Sequence, residues 1–211
     1  KVPANASSTE ETSSVNGTDT DGNNTLNDKD EKELDPQYSD TDCSMNQSAG
    51  NGASVILSNS TNETSDITIG IDVSKFQGTI DWAQVASSGV DFAMIRVGYR
   101  AQKTGVIYAD TNAKYNMQQA AANGIKVGAY FFSSAVNEAE AVEEADWVAD
   151  FIADYSITYP VAFDCEGFNT SESRQKSMTK AERTAVAAAF LQEIYDKGYT
   201  PMFYAASSEL T

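Results

Sequence analysis

Histidine is absent from all 211 residues. With it go the Ser-His-Asp and Cys-His nucleophile systems and zinc or haem sites built on imidazole. Cysteine is almost absent. Cys43 and Cys165 are the only two, too few for a disulfide framework or a four-cysteine metal site. Basic residues are scarce, with 14 Lys and Arg against 31 Asp and Glu and a formal charge of −17. A nucleic-acid surface needs the opposite balance. No apolar run approaches the roughly 18 residues that a membrane-crossing helix takes. Nothing in the composition asks for a cofactor or a metal. The chain opens on Lys1 with no signal peptide in view, so the expectation is a mature form or a fragment, with any export signal upstream.

What is there falls into two unlike parts. Residues 1–66 are rich in Ser, Thr, Asn, Asp and Glu and hold three lysines against thirteen acids. Their one apolar cluster is Val55-Ile56-Leu57. Such a segment buries too little apolar surface to offset its ordering entropy, and it reads as a disordered, extended tail or linker. Its Asn-x-Ser/Thr sequons, Asn16-Gly17-Thr18 among them, are what so Asn/Ser/Thr-rich a stretch produces by chance. Residues 67–211 carry 11 bases and 18 acids, and here apolar periodicity appears.

The second part reads as strand and helix in alternation. Strands are expected at Ile67–Val73, Phe92–Val97, Lys126–Phe132, Pro160–Asp164 and Pro201–Ala205. Helices are expected at Asp81–Ser87, Asp110–Asn123, Asn137–Tyr155 and Thr179–Lys197. Asn137 with Glu140 and Thr179 with Glu182 have capping-box spacing, and Gly124 and Gly198 are stops. Near-continuous apolar strands point to a parallel sheet buried on both faces by helices. Five strands and four helices fit an open α/β sheet or the first part of a (β/α) barrel. A complete barrel takes about 250 residues, so a barrel here lacks its C-terminal strands.

In either architecture, reactive side chains collect at the C-terminal ends of the parallel strands. The first strand ends in Asp72 and the fourth in Asp164-Cys165-Glu166. Alternation along a strand turns Asp164 and Glu166 to one side and Cys165 to the other. Twice the rise per residue spaces the two carboxylates by about 7 Å. Crowded carboxyls push their pKa values apart, so one keeps a proton while another stays anionic. Glycosidic cleavage needs that division of labour. Aromatics gather at the same ends, and Tyr99, Tyr130, Phe132 and Tyr204 are candidates to pack against sugar rings. Cys165 reads as a small buried hydrophobe.

The run Ile69-Gly70-Ile71-Asp72-Val73-Ser74-Lys75-Phe76-Gln77-Gly78-Thr79-Ile80-Asp81-Trp82 resembles the opening motif of glycoside hydrolase family 25, the Chalaropsis-type lysozymes. Gly89 to Arg100, Gly124 to Ser133 and Tyr159 to Glu166 are similar, in order, to that family's second, third and fourth strands. The resemblance covers 67–211 and none of the tail. It implies a TIM-like barrel of the (β/α)5(β)3 kind. It also implies a secreted muramidase, acting outside the cell or at its surface as a monomer, on the β-1,4 bond between N-acetylmuramic acid and N-acetylglucosamine of peptidoglycan. By the family pattern Glu166 is the general acid, Asp164 orients the N-acetyl group or assists water, and Asp72 supports the site electrostatically. Tyr130 lines a sugar subsite.

The sequence departs from the pattern at Cys165 and Phe76, where Trp is common. It also stops at Thr211, before the family's Trp-rich last strands and a late Asp. An incomplete barrel exposes a sheet edge, which predicts poor stability and weak activity for residues 1–211 alone. A chitinase-like N-acetylhexosaminidase and a non-catalytic wall-binding module are the competing readings. The first lacks the extra acid of the chitinase strand motif, and the second leaves Asp72, Asp164 and Glu166 without a purpose.

Overall fold

The computed structural model describes residues 17–18, 22–25 and 68–209. Gly17–Thr18 (β1) and Asn24–Thr25 (β2) form a short antiparallel pair. β2 lies against the later strand Ile107–Ala109, a local departure from a wholly extended tail. The remainder of the expected tail, Cys43 included, lies outside the described residues. Then follow β3 (Gly70–Val73), α1 (Trp82–Ser87), β4 (Phe92–Arg100), β5 (Ile107–Ala109), α2 (Ala113–Ala122), β6 (Lys126–Phe132), α3 (Glu138–Ile152), β7 (Val161–Asp164), α4 (Lys180–Asp196) and β8 (Pro201–Tyr204). The main sheet has the order β3-β4-β6-β7-β8, all parallel, with β5 antiparallel to the far end of β4. β5 was not expected, since three residues are too few for a period-two pattern to register.

The helices begin where local chemistry satisfies their first amides. Thr179 and Glu182 close a full reciprocal box at α4. At α3 only half of the expected box forms. Asn137 accepts from the Glu140 amide at 2.9 Å, but the Glu140 carboxylate is turned to the Val136 amide and to Arg174. α2 starts at Ala113 rather than Asp110, and the Asp110 carboxylate accepts from Arg96 and from the Lys75 and Asn112 amides.

The helices cover one face of the sheet, not the two that the sequence suggested. Ile95, Ala129, Phe131, Val161 and Phe163 share a single core with Met117 of α2, Val148 and Ile152 of α3, and Phe190 and Ile194 of α4. The other face is concave. The strands are apolar on both sides because Phe92, Met94, Ala162 and Met202 line that concavity. Glycine makes room at its floor: a Cβ on Gly128 would stand 2.5 Å from the Met94 sulfur.

A bulge in β4 decides which side chains reach which face. Register against β6 slips between Arg96 and Gly98, so Val97 is the extra residue. Arg96 stays opposite Tyr130, while Tyr99 pairs with Phe132. Arg100 is thereby sent to the helix side. There its Nε donates to Glu144 at 2.7 Å and its guanidinium also donates to Glu143 and to the Gly105 carbonyl. Ser133 donates to the same Glu144 at 2.6 Å, and burial pushes that carboxyl up to about 7 although Arg100 and Ser133 pull it down. Arg174 grips Glu140 through two nitrogens, at 2.8 and 3.0 Å. The loops after β4, β6 and β7 are thus tied to one another at the C-terminal rim.

Gly98 permits the bulge. A Cβ there would lie 2.6 Å from the Tyr108 carbonyl and 2.7 Å from the Trp147 ring. Gly98→Val is expected to lower stability by about 1–3 kcal/mol through overpacking, read as a lower urea midpoint with an unchanged m value.

Candidate active site

The concave face forms a cleft of about 240 Å³. Its floor is Phe92 and Met94, and its upper wall holds Asp72, Tyr130, Asp164 and Tyr204. β3 supplies Asp72, β6 Tyr130, β7 Asp164 and β8 Tyr204. Register puts Asp164 beside Phe132 on one side and Tyr204 on the other. β7 ends at Asp164, but the Cys165 amide still donates to the Tyr204 carbonyl at 2.9 Å. The alternation therefore runs one residue further, and Cys165 faces α4 among Phe168 and Ala187. Burial pushes its thiol up to about 12, which leaves no thiolate for chemistry.

Three of the predicted acids share one electrostatic neighbourhood. Burial first, then the charges of Glu166 and Asp72, push Asp164 up to about 8, with Arg96 pulling the other way. Glu166 is half-buried. Burial, Glu209 and Asp72 raise it above the ordinary glutamate range. Asp72 stands on an outer strand with its side chain open to solvent. The cleft walls raise its carboxyl, against a hydrogen bond from Tyr130 and the charge of Arg96. Burial and the Asp72 charge hold the Tyr130 phenol above its usual range, so it remains a donor. With Asp164 pushed up to about 8, the three carboxyls do not all ionise at neutral pH. The set keeps a proton and has one to give.

The predicted aromatics divide. Tyr130, 6% exposed, and Tyr204, 49% exposed, reach the cleft. Tyr99 and Phe132 do not: at 1% and 3% exposure they pack with Tyr108 and Ala101 as a small core beneath the rim. The bulge turns Tyr99 toward Tyr108, whose ring centroid is 5.6 Å away.

Two residues of this neighbourhood were not singled out from sequence. Arg96 is fully buried, its Nε 2.8 Å from Asp110 Oδ2, with its guanidinium over the rings of Phe76 and Tyr99. Its position on the inner face of a strand was readable from alternation with Met94. Glu209 lies in a 3-10 turn, Ser207–Glu209, just past β8, and no pattern in the sequence marks it.

The opening motif is mostly scaffold. Ser74 and Gln77 cap a one-turn helix reciprocally, and Gly78 leaves it at φ 65°. Asp81 caps α1, and Trp82 donates to Asn116 of α2 at 3.2 Å. Of that run Gly70, Ile71 and Asp72 line the cleft, and Asp72 alone brings a charged side chain to it.

Comparison with known proteins agrees with this geometry. The family model described as Glycosyl hydrolases family 25 matches residues 71–210. Lysozyme M1 of Streptomyces globisporus is 38% identical over 80 residues, which is 38% of this chain and 25% of that protein. Among solved structures, the modular autolysin LytC of Streptococcus pneumoniae aligns with a TM-score of 0.59 at 23% identity, over 67% of this chain and 33% of its own. The bacterial lysozyme of Streptomyces coelicolor aligns with a TM-score of 0.51 at 26% identity, over 68% and 65%. The chain thus spans about a quarter of the curated relative and about a third of the autolysin.

The raised Asp164 has a cost that pH exposes. Folded, it holds its proton up to about 8; unfolded, it loses it near 4. Between these values the folded state binds more protons, so stability falls as pH rises. Asp164→Asn removes that dependence. The variant is expected to exceed the parent by on the order of 5 kcal/mol at pH 8, with the gap closing toward pH 4, in urea unfolding at both values. A gap independent of pH would contradict the assignment.

Proposed function

Because the chain belongs to glycosyl hydrolase family 25, we propose that it is a muramidase, hydrolysing the β-1,4 bond between N-acetylmuramic acid and N-acetylglucosamine in peptidoglycan. Residues 67–211 are its catalytic domain, incomplete in the barrel's last strands, and 1–66 an acidic tail or linker. The observation that carries this reading is the meeting of Asp72 and Asp164 in one cleft, with Glu166 two residues past Asp164 and all three carboxyls raised in their affinity for protons. Helices on one face only, around a concave inner face, support the (β/α)5(β)3 barrel that the sequence suggested.

Glu166 is the general acid. It is the more accessible of the two β7-end carboxyls and stands where a leaving oxygen can reach it. Asp164 is the buried partner that meets the acetamido group of the sugar. In the resting cleft Asp164 holds the shared proton most firmly. A sugar N–H arriving at Asp164 favours its anion, which moves the shared proton toward Glu166, where protonation of the glycosidic oxygen requires it. Asp72, hydrogen-bonded by Tyr130, keeps negative charge beside the cationic centre that develops at the sugar ring. Tyr130 and Tyr204 offer ring surface to the saccharide. Tyr99 and Phe132 serve from beneath, by packing.

Action as a monomer is part of this reading. The solved relatives include a modular autolysin and a spore cortex lytic enzyme, which supports a site of action at the cell wall, outside the cytoplasm. The net negative charge of residues 67–211 gives little long-range attraction to anionic walls. Wall-binding rates are expected to change little between low and physiological salt, and a steep decline would contradict this.

Glu166→Gln is expected to lower release of reducing ends from peptidoglycan by at least about 100-fold while wall sedimentation of the protein is unchanged. Unaltered hydrolysis in the variant would remove Glu166 from the acid role. Wall binding by the parent without any released reducing ends would favour a binding module.

A further inference from the structure

Glu166 stands on a loop that needs an outside anchor. The strand has ended at Asp164, and Gly167, the next residue after Glu166, takes a left-handed φ of 68°. Three groups hold Gly167. Its carbonyl accepts from Thr170 Oγ1 at 3.0 Å and from Gln102 Nε2 at 3.4 Å. Its amide donates to Glu209 Oε1 at 3.0 Å. Thr170 belongs to the same loop and Gln102 to the loop after β4. Glu209 comes from the turn after β8, which is itself closed by the Glu209 amide on the Ala206 carbonyl at 2.9 Å. The Glu166–Gly167 peptide is therefore fixed on its N–H side by a charged acceptor from a different strand end.

Resting on the assignment of Glu166 as the acid, we propose that Glu209 is the positioning residue for Glu166, fixing through the Gly167 amide the peptide that joins Glu166 to Gly167. A carboxylate is a strong acceptor for one backbone N–H. Without it, an amide at a left-handed glycine is free to rotate with its neighbour, and Gly167 offers no side chain to resist.

The choice of a carboxylate over a neutral acceptor has a second effect. After burial, Glu209 and Asp72 from β3 are the negative charges that raise the Glu166 carboxyl. Around them stand Asp164 of β7, pulled down by Arg96 of β4, and the Tyr204 hydroxyl of β8. Lys180 and Arg183 of α4 share a cavity wall with Glu209 and Cys165. A glutamine at 209 would keep the acceptor and drop the charge, whereas an alanine would drop both.

The test compares Glu209→Gln and Glu209→Ala with the parent, using the full chain. NMR follows the Gly167 amide and the Glu166 carboxyl across pH, and hydrolysis of peptidoglycan gives rates. In Glu209→Ala the Gly167 amide is expected to move upfield and lose about tenfold in exchange protection, with kcat down about tenfold and KM little changed. Glu209→Gln should restore the amide and most of kcat. Its alkaline limb should still lie at lower pH than the parent's, because an acid relieved of a neighbouring anion ionises sooner. If Glu209→Ala leaves the Gly167 amide and the Glu166 titration as in the parent, the proposal fails. It also fails if glutamine is no better than alanine in both. Retained hydrolysis in Glu166→Gln would overturn the acid assignment alone, since the amide and carboxyl signals still decide whether Glu209 positions Glu166.

Discussion

A buried guanidinium sets the terms for everything around it. Arg96 and Asp110 are both shut off from water, and a charge in that position is tolerated only when its partners are close and complete. Asp110 meets the requirement and does more. The same oxygen that takes Arg96 takes the Lys75 amide, and the other takes the Asn112 amide. One carboxylate thus joins β4, the turn following β3 and the approach to α2. The turn it fixes leads directly away from Asp72. Arg96 in its turn lies under the acids of the cleft and is the positive charge that keeps their mutual repulsion bearable. Removing either partner of such a pair typically costs about 3–5 kcal/mol, and here the loss would fall on the scaffold and the site together.

The sequence made the strand and helix order legible because each buried element carried its own signal. Five parallel strands, four helices, the Thr179–Glu182 box and the outward turn of Cys165 follow from periodicity and capping chemistry. So does the meeting of Asp72 with Asp164, once both are set at strand ends. The failures have a common physical origin. Alternation is a rule of regular ladders, and β4 is not regular. From Val97 onward the bulge reverses which residues face the cleft side, and Tyr99, turned to that side, is packed against Tyr108 of the unexpected β5. Helices on both faces were inferred from apolar residues on both faces, but Phe92, Met94 and Met202 turn their apolar surface to the cleft instead. Glu209 was invisible because its role depends on where β8 ends in space.

The cleft concentrates what a stable fold avoids. Asp164 is held among other acids, largely out of water, at a cost to stability that rises with pH. The rest of the domain offsets this conventionally, with Phe131, Trp147 and Phe151 in contact on the helix side and Phe163 between Phe190 and Phe203. The division is clean. Odd-numbered positions of β6 and β7 serve cohesion, while Tyr130 and Asp164, at even-numbered positions, serve chemistry, and the strand period keeps the two apart.

The rim ties have a consequence for how such a protein can change. Arg100 donates to the carbonyls of Gly105 and Glu140, Arg174 to that of Ser134, Gln175 to that of Ala135 and Arg183 to that of Met178. In each case the acceptor is backbone, which every amino acid supplies alike. At these points the loops are held by their course, while the Glu140, Glu143, Glu144 and Glu209 carboxylates supply the side-chain ties. Other residues on these loops are therefore free to vary toward a different glycan or peptide neighbour without loosening the frame that holds Asp164 and Glu166, provided the few donors and these carboxylates stay.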